Sequence, residues 1–408
     1  MKLEKYREIV GRHTIDELIF LAEKLQGKTI QMINSTAVGG GVAEILHRMV
    51  PLMNELGIKT YWDVIRGDEE FFYVTKTLHN ALHGRGNNIT PEMLNIFIRN
   101  TEENLQMMRL NGDIIFVHDP QPVGLIQAKE RINAKWVWRC HIDISSPVSQ
   151  AWEFIKPYVE KFDGAVFSAP QFTKPLPIRQ FLIAPSIDPL SDKNKELSWD
   201  FVSGVLEKYG LDPERPIVMQ VSRYDRLKDP LGVIEAYKMI RNDVDCQLAL
   251  VGSGASDDPE SAEVLKEVQE RASDDPNIHV LFIPQTPNLS IETNALQRGA
   301  TIILQKSLRE GFALTVSEAL WKGKPVIASA VGGIPLQIKQ NITGILVHSI
   351  EGTALAIKRL FNNPELSKTL GENGKRFVNQ NFLITRHLKD YLMLFLILLT
   401  GKSGVFEI

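Results

Sequence analysis

The run from Ala300 to Glu318, Ala-Thr-Ile-Ile-Leu-Gln-Lys-Ser-Leu-Arg-Glu-Gly-Phe-Ala-Leu-Thr-Val-Ser-Glu, restricts what this chain can fold into more than any other stretch. Its apolar head, 300–304, reads as a buried strand. Gly311-Phe312 reads as a tight turn, and the small residues with Thr315 suit the opening of a helix. In that order, strand, turn and helix start aim free backbone N–H groups and the positive helix end at one point. A phosphate fits there. Glu310 stands just before the turn, and Glu318 stands two helical turns on. Their carboxylates can accept hydrogen bonds from hydroxyls on either side of that phosphate. Phosphate flanked by hydroxyl-rich groups describes a nucleotide sugar. Two glutamates on a surface helix are more often solvated charges. The downstream residues raise the functional reading: Ala319-Leu-Trp-Lys-Gly-Lys-Pro-Val-Ile-Ala328, then Ala330-Val-Gly-Gly-Ile-Pro335, reads as helix, glycine stop, short buried strand and second glycine-rich turn.

The rest of the chain repeats this order. Residues 28–33 read as a strand, Gly39–Gly41 follow after a short loop, 43–56 have helical periodicity and stop at Gly57, and 58–64 are again a strand. That is a βαβ unit. Residues 14–25 read as a helix, with Thr14 and Glu17 as its capping box. Strands follow at 113–117, 134–140, 164–168 and 180–184, then at 216–222, 247–251, 279–283, 300–304 and 325–328, with a charged helix over 362–382. Such alternation specifies an α/β fold on parallel sheets, where ligands lie beyond the carboxyl ends of the strands.

At 408 residues the chain exceeds one ordinary core, so two domains are expected, at 1–190 and 191–382, joined through the polar, turn-rich segment 186–196. The net charge of −3 includes no broad basic stretch, which argues against nucleic acid as a partner. Cys140 and Cys246 cannot make a disulfide framework and lack metal-ligand spacing, so they read as buried thiols in a reducing, cytoplasmic setting. Residues 1–8 contain no apolar targeting core. The most apolar stretch, Tyr391-Leu-Met-Leu-Phe-Leu-Ile-Leu-Leu399, is about half the length of a membrane span, so no span is expected and a buried terminal helix is.

Beyond the glutamates, Arg223 and Lys228 lie just past a strand end, five residues apart, where a guanidinium fork and a point charge can converge on a diphosphate. A pair of solvated cations is the plain alternative. Gly40 and Gly41 allow close backbone approach to phosphate or sugar, although glycine turns often serve chain reversal only. His141 follows one strand and precedes Asp143; His118 follows another and opens His118-Asp-Pro-Gln-Pro122. Lone histidines are more often structural. Asp225 and Asp229 are interleaved with the basic pair and read as structural. No Asp-x-Asp pair stands at a strand end of the first domain, so neither a tightly held metal nor another bound cofactor is expected; a stimulatory magnesium stays open.

Together, Glu310-x7-Glu318 with Gly311-Phe312, the "Gly-Lys-Pro-Val-Ile-Ala" strand, the "Gly-Gly-Ile-Pro" turn, Val221-Ser-Arg-Tyr-Asp-Arg-Leu-Lys-Asp-Pro230, Leu248-Ala-Leu-Val-Gly-Ser-Gly254 and Val38-Gly-Gly-Gly-Val42 resemble the retaining glycosyltransferases of family 4. Those enzymes have two Rossmann-like domains facing across a cleft, the GT-B arrangement. The resemblance covers nearly the whole chain. It departs after Pro335, where Gln340-Asn341 replaces a common acidic turn. It implies that Gly40, Gly41, Arg223, Lys228, Leu314 and Thr315 hold the donor's phosphates. Glu310, Gly311, Phe312 and Ala313 would hold its sugar, and Glu318 its ribose. His141 would contact the transferred sugar, with His118 as its competitor for that role, and share the catalytic role with Glu310. The resemblance further implies a front-face displacement, and a terminal segment, 383–408, that packs back on the first domain.

His118-Asp-Pro-Gln-Pro122, Trp138-Arg-Cys-His-Ile-Asp143 and Trp152-Glu-Phe-Ile-Lys-Pro-Tyr158 look like one subgroup, the trehalose synthases of the glycosyl-transferring type. That likeness implies glucose transfer from a nucleoside diphosphate glucose (ADP- or UDP-glucose) to free glucose, with His118, Asp119, Gln121 and Asp143 on the acceptor side. A homodimer is compatible with it. The alternatives are another acceptor (a sugar phosphate or a glucan), a sugar-nucleotide 2-epimerase of the same fold, and a non-catalytic sugar-binding regulator.

Overall fold

The computed structural model describes residues 3–37, 40–86, 88–252 and 259–401. Gly39, Ser253 and Gly254, from the glycine-rich motifs, and residues 402–408 lie outside them. The chain forms two compact units. One takes the residues up to 186 together with those from 384 on; the other takes 187–383.

In the first unit six strands, β1 (Thr29–Asn34), β2 (Lys59–Val64), β3 (Ile114–His118), β4 (Lys135–Cys140), β5 (Gly164–Phe167) and β6 (Arg179–Leu182), form one parallel sheet in the order β2-β1-β3-β4-β5-β6. In the second unit β7 (Ile217–Val221), β8 (Gln247–Gly252), β9 (Ile278–Phe282), β10 (Ile302–Gln305), β11 (Val326–Ser329) and β12 (Ile345–Val347) form another, in the order β12-β11-β10-β7-β8-β9. Helices cover both faces, so the central strands are mostly apolar, and every residue of β3, β7 and β8 is buried, His118, Gln220 and Gln247 included. In each sheet the chain starts in the middle and winds outward both ways. The direction reverses between β1 and β3, and between β7 and β10, and a crevice opens beyond the carboxyl ends of the strands at such a reversal. The expected site residues follow these strands.

Three details differ from expectation. The first helix starts at Arg7 and runs to Glu23 across a break at Gly11, whose φ is 81°; Thr14 bonds back to the Val10 carbonyl at 2.9 Å instead of capping. Residues 187–196 are not a solvated linker but part of the second unit. Asn194 is 1% exposed, and its side chain bonds the Asp188 carbonyl and Ser191 Oγ. Gln340-Asn341 replaces its acidic counterpart without loss of the turn, because Asn341 adopts φ 60° and its N–H bonds the Gly344 carbonyl.

The helix Ile384–Thr400 carries the apolar run 391–399. Tyr391, Leu392, Leu394, Phe395 and Leu398 join the first unit's core, where the Tyr391 and Phe395 rings meet Phe116 edge-on. Among the described residues no helix is long and apolar enough to cross a membrane.

Candidate active site

The second unit's site lies at the β7/β10 reversal. After β7 the chain turns through Asp225, whose carboxylate accepts the Leu227 N–H at 2.7 Å. It reaches Asp229 at φ 48°, which caps the helix Pro230–Lys238 through the Gly232 N–H at 3.1 Å and pairs with Lys306. After β10, Lys306 N–H donates to Gln220 Oε1 and Leu308 N–H to the Leu227 carbonyl. These bonds tie the two post-strand loops together. Asp225 and Asp229 are thus structural, as their spacing suggested.

That tie brings Lys228 onto Glu310. Their side chains meet at 2.5 Å, and Ser307 Oγ donates to the same carboxylate oxygen at 3.1 Å. Both partners of the ion pair lie largely out of solvent. Arg223 stays two-thirds exposed, with Asp225 3.4 Å away. Ala313, at φ 67°, turns the chain into the helix Leu314–Trp321, where Thr315 Oγ1 donates to Gln305 Oε1. The first N–H groups of a helix have no partner within it. Phe312 is buried with its ring against Phe382.

The Gly-Gly-Ile-Pro turn braces this loop from beneath. A Cβ on Gly332, at φ 52°, would stand 1.6 Å from the Glu310 carbonyl oxygen, and one on Gly333 would stand 2.6 Å from that of Gly311. Gln337, just beyond, donates to the Phe312 carbonyl and accepts from Ser317 Oγ.

Glu318 is fully buried, and neither carboxylate oxygen accepts a hydrogen bond among the described residues; Lys193 Nζ lies 3.4 Å away. Burying an ion without such bonds is costly, but removing one partner of an ion pair takes away the other's counter-charge. Lys193 keeps part of its side chain in solvent, so Glu318→Met should leave stability close to that of the parent, while nucleoside diphosphate affinity falls. Melting curves and calorimetry on one preparation check this. A less stable variant with unaltered affinity would make Glu318 a structural residue only.

In the first unit, Gly40 and Gly41 open the exposed start of the helix Gly40–Glu55, with Gly40 at φ 76°. His118 ends β3 and His141 follows β4, next door in the sheet. His118 Nδ1 and His141 Nε2 are 3.0 Å apart. Asp119, at φ 66°, fixes this corner: its carboxylate accepts the His141 N–H at 2.9 Å, its carbonyl accepts the Trp138 indole, and its own N–H donates to the Arg139 carbonyl. Burial pushes the Asp119 carboxyl up to about 6, against the pull of the His141 N–H and the Arg139 charge. Asp143 spends one oxygen on Ser145, from N–H and Oγ. Gln121 Oε1 accepts no bond among the described residues.

Sequence reasoning missed Arg139. Its guanidinium is fully buried and bonds Ser168 Oγ at 3.2 Å. Burial first, then this charge, pushes His118 down to about 3 and His141 well below the usual histidine range, so both rings are neutral. The signal was an arginine in the middle of an apolar strand. Also missed were Ser307 and Lys193, whose partners are fixed only by the fold. Among the described residues no group of three His, Cys, Asp or Glu side chains could hold a metal ion.

Two family models match. "Trehalose synthase, N-terminal domain" covers residues 32–174, and "Glycosyl transferases group 1" covers 205–377. The trehalose synthase of Pyrococcus horikoshii is 44% identical over 399 residues, which span 96% of this chain and 95% of that protein. The trehalose synthase of Rubrobacter xylanophilus is 44% identical over 402 residues, 96% of each chain. Among solved structures, an alpha,alpha-trehalose-phosphate synthase (UDP-forming) from Burkholderia xenovorans shares the fold with a TM-score of 0.68 at 14% identity, covering 91% of this chain and 100% of that one.

Proposed function

Because this chain belongs to the trehalose synthase family of glycosyltransferases, we propose that it transfers glucose from a nucleoside diphosphate glucose to free glucose, giving trehalose with the anomeric configuration retained. The bond from glucose C1 to the diphosphate oxygen breaks, and a bond from C1 to the acceptor oxygen forms on the same face. The acceptor's proton goes to the leaving diphosphate. No protein nucleophile is needed. Arg223, Lys228 and the N–H groups at Leu314 and Thr315 stabilise the charge that gathers on the leaving group, which is where an enzyme of this kind gains most. Glu310 holds hydroxyls of the transferred sugar and Glu318 those of the ribose; His141, in the first unit, is assigned separately to a sugar hydroxyl.

The observation that carries this reading is the pair of carboxylates about one helix start: Glu310 beside Lys228, and Glu318 buried beside Lys193 and accepting no hydrogen bond among the described residues. Free glucose is favoured over a sugar phosphate because the cations of residues 118–158 are largely committed. Lys129 and Lys135 pair with Asp163, Lys156 with Glu160, and Arg139 is buried. Incubation with ADP-, UDP- and GDP-glucose, with glucose or glucose 6-phosphate as acceptor, tests it by NMR of the products. Trehalose and nucleoside diphosphate are expected. A phosphorylated disaccharide, an epimerised donor or an inverted anomer would overturn the assignment.

The roles of the two cations are separable. Arg223→Ala and Lys228→Ala should each weaken nucleoside diphosphate binding by about tenfold or more, a charge-assisted bond's worth, and leave nucleoside binding unchanged. Calorimetry with both ligands checks this; equal losses for both would move the residues to a structural role.

A further inference from the structure

His118 is 1% exposed, and its neighbours fix what His141 offers to a substrate. Its two ring nitrogens face different atoms: Nδ1 faces His141 Nε2 at 3.0 Å, and Nε2 faces the Met32 thioether sulfur at 3.5 Å. Burial and the Arg139 charge keep both imidazoles neutral. A neutral imidazole carries one proton, on one nitrogen only. A thioether has no proton to give and only weak accepting capacity. The Met32 contact is therefore a bond only when His118 Nε2 carries the proton; the reverse arrangement sets a nitrogen lone pair against sulfur lone pairs. With its proton on Nε2, His118 must accept at Nδ1, and His141 must donate from Nε2. That uses the single proton of His141. Its Nδ1 is left as a lone pair, and no hydrogen-bond partner meets it among the described residues.

We infer that His118 is a positioning residue which, backed by Met32, holds His141 as the Nε2–H tautomer and so makes His141 Nδ1 a hydrogen-bond acceptor for a sugar hydroxyl. The tautomer rests on the two ring contacts of a neutral histidine pair; the hydroxyl rests on the sugar-ligand role of His141 proposed above. An acceptor here selects ligands that donate. A site built for a hydroxyl donor rejects an analogue without one more strongly than an apolar pocket rejects a missing methylene.

Nitrogen-15 NMR of histidine-labelled protein reads the tautomer directly. The expected spectrum shows His141 Nε2 with the shift of a protonated ring nitrogen and Nδ1 with that of a bare one. His118→Phe removes the acceptor and should mix the two tautomers, raising KM for the glucose that His141 contacts by up to about tenfold, the worth of one neutral hydrogen bond, with a smaller change in kcat. His118→Asn, whose side-chain oxygen stands near the place of Nδ1, should restore both signature and KM. Wild-type protein with the proton on His141 Nδ1 overturns the tautomer whatever the activity, and even if neither variant folds. The expected tautomer with no change of KM in His118→Phe overturns the sugar-hydroxyl half while leaving transfer itself standing.

Discussion

Replacing Gly332 by Ala is expected to lower transfer by at least about 100-fold, the loss that a displacement of an ångström can cause at a reacting centre. The new Cβ would stand 1.6 Å from the Glu310 carbonyl oxygen. The obstacle is backbone, so no side chain can swing aside. Either the turn or the loop that carries Glu310 must move. Gly332 also sits at φ 52°, where an L side chain adds strain of about 1–3 kcal/mol. The melting temperature should fall as well, but the protein should still fold. Gly333→Ala is the graded control: its Cβ would stand 2.6 Å from the Gly311 carbonyl, a milder clash at an ordinary φ. Steady-state rates with saturating donor check the ranking. Near-normal turnover in Gly332→Ala would mean that the position of the Glu310 loop does not matter to transfer.

Glu310→Gln is expected to lose about one to two decades in kcat/KM, since each charge-assisted hydrogen bond to the sugar is worth roughly 1.5–3 kcal/mol. The amide keeps the shape and one acceptor oxygen, so Ser307 Oγ still has a partner. The charge is what goes. Lys228, largely buried, then loses its counter-charge, and leaving one half of such a pair alone destabilises. Some loss of stability should accompany the loss of rate, and a nucleoside diphosphate should restore the stability by giving Lys228 a new anion. Thermal shift with and without the diphosphate, set beside the kinetics, separates the two effects. Wild-type-like turnover with every donor would remove Glu310 from the sugar site.

The strand, turn and helix start that carry Glu310 and Glu318 were legible because they sit in one continuous segment. Glu310, Gly311 and the helix carrying Glu318 lie where strand, turn and helix periodicity put them. What could not be read were the pairings made at long range. Lys228 reaches Glu310 only because β7 and β10 are neighbours in the sheet, and Gly332 braces Glu310 only because β11 lies on β10's other side. Polarity also misled. Residues 186–196 look solvated, yet Asn194 is buried and uses its amide to hold the segment in place. Nor could sequence tell that the two strand-end histidines, His118 and His141, pair with each other and that His118 is the more deeply buried. The apolar run 391–399 was legible as a buried helix, but its partner, the face of β3 around Phe116, is far away in sequence.

That last helix has a consequence for how the protein is made. The first unit's sheet is complete in sequence at Leu182, but the face that Tyr391 and Phe395 cover has to wait for Ile384–Thr400. About 200 residues emerge from the ribosome in between. At roughly 5–20 residues per second that is a delay of about 10–40 s. Residues 187–383 are contiguous and can close their own core during that interval. The half that begins first therefore finishes last, with Phe116 lacking the Tyr391 and Phe395 rings until the final helix arrives.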